Sequence, residues 1–434
     1  MTLIRLVDAR GPNRIKVLKV DPRSELTIDV ALATDVLPGH ERTSSMAARH
    51  NALAAINGDY TIRPYTQGSG RPVDTFAEDG VLKASPLIWG RNFSISRDER
   101  TVEIAHSELS VNVMQRDTGD AWEIGSVNGL NPEPNGMSLY TPDGGETFKP
   151  PRASCSARLY PYGTSAWGPG QVGLAEDFYV ARMRCNDKPM KRRGGSVIAA
   201  PVGSEASLLI RSHLVADEVV TMTWSIGRRG VLDTIGGNPN LVENGAIAAD
   251  RCTDSYFCYR NPRTGIGVDA KGMILLVTVD GRRSRSVGMT PVQFAKLFRH
   301  LGATWALNLD GGGSTTMVVR GRVINNVSDP YERPVGSAIL VLRGPDPGEA
   351  EPVAAPSPEP TPGGILGPIG GDDLDGSFGD IPRTLQRSVC LAGDDPASTG
   401  GMLDALARGD LGPHDRVPRA LLPALRDFRD RSGC

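Results

Sequence analysis

The stretch Trp305-Ala306-Leu307-Asn308-Leu309-Asp310-Gly311-Gly312-Gly313-Ser314-Thr315-Thr316-Met317 decides how this chain is read. From Thr304 to Asp310, Trp305, Leu307 and Leu309 share one parity while Thr304, Ala306, Asn308 and Asp310 share the other, the pattern of a half-buried strand. That strand carries an amide and a carboxylate on one face to its end. The three glycines that follow allow positive φ and let a ligand approach backbone N–H groups without meeting a Cβ. Ser314, Thr315 and Thr316 then add hydroxyls. A polar hairpin would account for the glycines alone; the acid before them and the hydroxyls behind them favour a ligand site.

Upstream, Thr290 is placed to cap and Pro291 to start a helix carrying Phe294, Leu297, Phe298 and Leu301, with Gly302 ending it. The order helix, loop, strand, Asn, Gly recurs earlier: Thr43-Ser44-Ser45 offers caps, residues 52–56 read as a strand, and Asn57-Gly58-Asp59-Tyr60 follows, a hint of an internal repeat. Residues 14–20 and 26–33 alternate and are expected to pair as a hairpin about Asp21-Pro22-Arg23-Ser24. Glu243-Asn244-Gly245 is a hairpin signal, and residues 263–268 with 273–279, then 318–324, read as further hairpins before a closing strand at 338–342. Residues 93–224 hold short alternating runs, 207–210 among them, and form a β-rich portion that is either continuous with the domain or inserted in it. The expected fold class is α+β, with mixed, largely antiparallel β-sheets and a few packed helices over residues 1–343. A Pro/Gly-rich linker at 344–381 and a small C-terminal helical module or tail at 382–434 follow.

The chain has 434 residues and a net charge of −2, which gives no general attraction to nucleic acid or to an anionic membrane. No run approaches the roughly 18 apolar residues of a membrane span. The six cysteines fall into local neighbours, Cys155 with Cys185, Cys252 with Cys258 and Cys390 with Cys434. With no CxxC and no histidine cluster, disulfides are expected over zinc. A secreted or extracytoplasmic location follows, with the signal peptide absent from this sequence. Neither a P-loop nor a Gly-x-Ser-x-Gly elbow occurs, so nucleotide hydrolysis and serine-esterase chemistry have no support.

Asn57-Gly58, Gly236-Gly237-Asn238-Pro239, Pro262-Arg263-Thr264, Asp280-Gly281-Arg282, the run from Asn308 to Thr316 and Glu332-Arg333-Pro334 together resemble, in order and spacing, the motifs of the phosphodiester glycosidases. The resemblance covers about residues 1 to 343. It implies hydrolysis of a sugar-1-phosphodiester at the glycosyl C–O bond, with a glycan or glycophosphodiester as partner. One departure is Asp59-Tyr60, where relatives carry Gly-Phe. Such chemistry needs donors that hold the departing phosphate, and a carboxylate that activates water or steadies an oxocarbenium-like state. Arg263, Arg282 and Arg333 are candidates for the first need, since a guanidinium binds two phosphate oxygens in its plane. Asp310 is the leading catalytic acid, with Asp280 and Glu332 behind it. Asn57, Gly58, Asp59, Thr264, Asn308, Gly311, Gly312, Gly313, Ser314 and Thr315 complete the expected substrate-binding set. No cofactor is expected; calcium at Asp310 or Asp280 is compatible with oxygen ligands, but no EF-hand spacing argues for it. The competing readings are a non-catalytic surface carbohydrate binder and a metal-dependent phosphodiesterase cleaving P–O.

Overall fold

A computed structural model describes residues 1–344 apart from 9–10, 63–67, 88–89, 130–134, 146, 164–171, 187, 228–229 and 250–255. The expected linker and C-terminal module lie outside the described residues.

Three antiparallel sheets share one apolar core. A seven-stranded sheet runs in the order Thr2–Asp8, Asn13–Val20, Ile274–Val279, Arg263–Asp269, Ala303–Asn308, Asn240–Glu243, Ala246–Ile247. A five-stranded sheet places Ala54–Asn57 between Met317–Val319 and Ser337–Arg343, with Arg322–Val323 and Leu26–Leu32 at its edges. A second five-stranded sheet is centred on Val231–Gly237. Leu18 and Leu307 from the first, Ile56 and Ile339 from the second, and Phe93 and Ile235 from the third meet in one buried cluster. Burial of this apolar surface is the main driving force for bringing the three sheets together.

The helix Pro291–His300 covers the other face of the seven-stranded sheet. It begins as expected, with a capping box in which Thr290 accepts from Gln293 N and Gln293 returns a bond to the Thr290 backbone. Its Phe294 and Phe298 rings press on the strand Arg263–Asp269 so closely that a Cβ at Gly265 would lie 2.8 Å from the Phe294 ring. The helix Thr43–Arg49 covers the five-stranded sheet in the same way, through Met46 and Ala47.

Seven strands between Ser110 and Ser225 close into a barrel whose core also takes in Ala77 and Leu82 of the second five-stranded sheet. One pair, Ala121–Val127 with Met137–Tyr140, is parallel, and the other barrel pairs are antiparallel. The disulfide Cys155–Cys185 joins two directly opposed barrel residues. Cys258 is also disulfide-bonded. Cys252, Cys390 and Cys434 lie outside the described residues.

Two expectations fail. The strands Asn13–Val20 and Leu26–Leu32 do not form a hairpin; the first pairs with Thr2–Asp8 and Ile274–Val279, the second with Ser337–Arg343. Val20 and Ile28 instead belong to the core shared by different sheets. Residues 207–210 lie in the helix Glu205–His213, because Ser204 caps it by accepting from Ser207 N and its Ala206 and Ile210 fill the barrel core.

Candidate active site

The site forms where two strands from different sheets end side by side. Ala54–Asn57 runs into Gly58-Asp59-Tyr60, and Ala303–Asn308 runs into Leu309-Asp310-Gly311. Asp310 N donates to Gly58 O at 3.1 Å, and Asn57 Nδ2 donates to Asp310 O at 2.7 Å. Asn57 Oδ1 accepts from Thr264 Oγ1 at 2.8 Å and from Thr316 N at 3.1 Å. Asn57 and Thr264 are wholly buried. Their bonds go to the scaffold, so the expectation that Asn57 binds sugar hydroxyls gives way to a brace between strand ends. Gly58 is likewise structural, since a Cβ there would lie 2.5 Å from Ser337 Oγ.

Asp310 stands at the mouth of this brace, partly exposed. Its Oδ1 accepts from Gly311 N at 2.9 Å. Burial pushes its carboxyl up to about 6, against the lowering influence of the Ser314 hydroxyl, the Arg333 charge and the Gly311 amide. Near neutral pH it therefore has the profile of a poised base rather than an inert carboxylate.

The glycine turn serves mainly to admit two guanidinium groups. A Cβ at Gly312 would lie 2.8 Å from Arg282 Nη2, and one at Gly313 would lie 2.1 Å from Arg333 Nη2. Gly312 also has φ of +61°. Two of the three amides are used internally, Gly311 N by Asp310 and Gly312 N by Pro262 O. Asp329, not singled out from the sequence as a site residue, orients both cations: Arg333 Nη2 lies 2.6 Å from Asp329 Oδ2, and Arg282 Nη1 lies 3.9 Å from Oδ1. Arg282 also reaches Asn261 Oδ1 through Nε and Nη2, each at 3.2 Å. Both guanidinium groups lie against the Asp329 carboxylate.

Arg263 is buried beside this pair. Its Nε donates to Met289 O, its Nη2 donates to Phe257 O and Tyr259 O, and its guanidinium stacks 4.6 Å from the Phe257 ring centroid. Those bonds hold Arg263 as a fixed wall, with Nη1 outside them. Burial and the Arg282 charge bring it down to about 10, opposed by Tyr60. Tyr60 packs edge-on against Phe257, and its hydroxyl accepts from Asn308 Nδ2 at 2.5 Å. Asn308 Nδ2 also donates to Asn238 O and Leu309 O, while its buried Oδ1 has no partner among the described residues. Thr315 Oγ1 is a second buried acceptor without a partner.

The other expected acids are placed differently. Asp280 is wholly buried, its carboxylate receiving Asn326 N at 3.2 Å and Asn326 Nδ2 at 2.8 Å, with Lys16 Nζ 3.8 Å away. It anchors the segment leading to Asp329. Glu332 accepts from Ser44 N at 2.8 Å and Ser44 Oγ at 2.5 Å, satisfying the first turn of the helix Thr43–Arg49. Neither is free to act as the second catalytic carboxylate. Asp59 is buried, accepting Tyr60 N at 2.6 Å and Asp74 N at 2.8 Å. Burial, and then the nearby Asp74 carboxyl, raise Asp59 well above the carboxylate range. Asp74, absent from the sequence-based set, is raised to about 7 by burial, and neither of its carboxyl oxygens has a hydrogen-bond partner. Among the described residues no group of three or more His, Cys, Asp or Glu is arranged to hold a metal ion.

Residues 183–342 match the phosphodiester glycosidase family model, a span that contains Arg263, Arg282, Asp310 and Arg333. An uncharacterized prophage-derived protein of Bacillus subtilis is 42% identical over 82 residues, covering 19% of this chain and 13% of the relative. The N-acetylglucosamine-1-phosphodiester alpha-N-acetylglucosaminidase of Mus musculus is 34% identical over 98 residues, 21% of this chain and 19% of the relative. The chain thus matches under a fifth of the length of each of these two relatives. A hypothetical protein from Synechocystis of known crystal structure shares the fold, with TM-score 0.62 at 19% identity over 78% of this chain and 61% of that one.

Proposed function

We propose that the protein hydrolyses the glycosyl C–O bond of a sugar-1-phosphodiester, with N-acetylglucosamine-1-phosphodiesters of a glycan, cell-wall polymer or glycolipid as the leading substrate class. The observation that carries this reading is the placement of two guanidinium groups, Arg282 and Arg333, close against the glycine turn, next to an acid raised to about 6 at Asp310. The two guanidinium groups bind the non-bridging oxygens of the phosphodiester, and their hold strengthens as the C1–O bond breaks and its electron pair stays with the phosphate. Asp310 accepts the proton of the water that adds to C1. Tyr60 and Asn308 bound the sugar side.

A phosphate monoester leaves without strong protonation, so this site needs no second carboxylate. That fits a structure in which Asp280 and Glu332 are committed elsewhere and Asp59 and Asp74 are buried. The disulfide Cys155–Cys185 and the resemblance to the mouse enzyme support an extracytoplasmic location. The test is a panel of defined glycosyl-1-phosphodiesters: release of free sugar and a phosphate monoester is expected for at least one N-acetylhexosamine member. Tight binding without turnover across the panel would leave a carbohydrate-binding protein instead.

A further inference from the structure

The barrel carries a second collection of cations, remote in sequence from those at the glycine turn. Arg158 on the strand Ser154–Pro161 is directly opposite Arg182 on the strand Ala175–Asn186, and Arg184 is two residues further on, opposite Ser156. Arg184 is pushed below the ordinary guanidinium range by burial and then by the Arg182 and Arg158 charges. The three are therefore neighbours in charge as well as in register.

A local irregularity creates this face. Register shifts between Arg158 and Leu159, so that Leu159 is opposite Val180, Arg158 is opposite Arg182, and Ala181 is the extra residue. Before the bulge, Phe178 and Val180 point into the barrel core; beyond it, Met183 packs on that core. Without the extra residue, Arg182 would share the parity of Phe178 and Val180 and face inward. The bulge turns Arg182 and Arg184 onto the face that bears Arg158.

Among the described residues, no carboxylate forms a salt bridge with Arg158, Arg182 or Arg184. Arg158 is only 9% exposed, and its buried Nε has no hydrogen-bond partner. The Nε of Arg184 is also buried without a partner, while its Nη2 donates to Lys188 O at 3.1 Å and Pro189 O at 2.8 Å. Arg158 is nine-tenths buried as a residue and lies beside two like charges, an arrangement that a bound anion would offset. Directed N–H donors suit an oxyanion.

We propose that this barrel face is a phosphate-binding site that holds a second anionic unit of a phosphate-bearing glycan. The identity of the anion rests on the proposed phosphodiester chemistry; the existence of an oxyanion site does not. Arg158 supplies the buried donor, Arg182 the exposed one, and Arg184, two residues further along the strand, is held in place by Lys188 O and Pro189 O.

Two measurements on the full chain test it. In the first, inorganic pyrophosphate is titrated calorimetrically into protein carrying Arg282→Ala and Arg333→Ala, so that the glycine turn contributes nothing. Saturable binding is expected, weakened about tenfold by adding Arg182→Gln or Arg158→Gln, the size of one charge-assisted hydrogen-bonded contact. Absence of binding in folded protein, or binding unchanged by Arg182→Gln, overturns the site. Arg182 is exposed, so its substitution keeps the test decisive even where Arg158→Gln fails to fold. In the second, Arg182→Gln is expected to leave turnover of a single-unit glycosyl-1-phosphodiester unchanged and to raise KM for a multi-unit phosphoglycan about tenfold. Equal KM values for the multi-unit substrate overturn the glycan assignment. If no substrate is hydrolysed, the catalytic reading fails while the titration still decides the anion site.

Discussion

Two strand ends in this protein are written alike and end in different chemistry. Asn57-Gly58-Asp59 and Asn308-Leu309-Asp310 each follow a helix and a short strand, and each places an aspartate two residues after a buried asparagine. Asp59 then points into the protein, where two backbone N–H groups hold it and Asp74 is its charged neighbour. Asp310 points to the mouth, where Arg333 and the Ser314 hydroxyl oppose the effect of burial. An acid that faces another acid in the interior is biased toward its protonated form; one that faces guanidinium groups at a partly open turn stays available as a base. Local sequence delivers the carboxylate, and the elements packed against it set its use.

The sharpest contrast comes from swapping each acid for its amide. Asp310→Asn is expected to lower kcat about a thousandfold with the melting temperature kept or raised. Asp59→Asn is expected to show the opposite signature, a lower melting temperature with the larger part of turnover retained in the folded fraction, because one of its two N–H donors loses its acceptor. Parallel kinetics and thermal melts check both, and equal kinetic losses would erase the distinction between the two ends.

A smaller effect is expected at the cations. Arg333→Ala should lower kcat/KM about a hundredfold, and Arg333→Lys should recover only part of it, because a point charge cannot hold two oxygens in one plane. The same substitution sharpens the comparison through pH. Wild-type activity should rise as pH increases through about 6, where Asp310 ionises. Arg333 favours the ionised form, so its loss should move that inflection upward; a pH-rate profile with an unmoved inflection would detach Arg333 from Asp310.

The smallest effect concerns Asp74, raised to about 7 and without hydrogen-bond partners for its carboxyl oxygens. A folded-state value above the unfolded one means that the folded protein holds the proton longer. Stability from this group is therefore complete below about 4 and declines as pH rises toward about 7. Asp74→Asn should remove that decline, so its melting temperature should gain on wild type between pH 5 and pH 8, on the order of a few degrees. A constant difference across that range would refute the buried, protonated assignment.

Much of the local structure was legible because its signals are local. The parity from Thr304 to Asp310, the Thr290 cap and the Asn244-Gly245 turn each name their element from a few adjacent residues. The hairpin expected between residues 14–20 and 26–33 failed because the competing partners are remote: Ile15 pairs with Val279 and Ile28 with Val341. The same distance hid the fate of Glu332, taken by Ser44 far up the chain, and of Asp280, taken by Asn326. Asp329 did leave a trace, standing four residues before Arg333 with the opposite charge. Asp74 left none; it lies in a loop-like stretch, and only folding places it beside Asp59.

The account stands on which bond is broken at the Asp310 mouth. Hydrolysis of a glycosyl-1-phosphodiester in heavy-oxygen water, with mass analysis of both products, reads this directly. The label is expected in the released sugar, because water adds to C1 with Asp310 as its base. Label in the phosphate would show P–O cleavage and contradict the glycosidase mechanism.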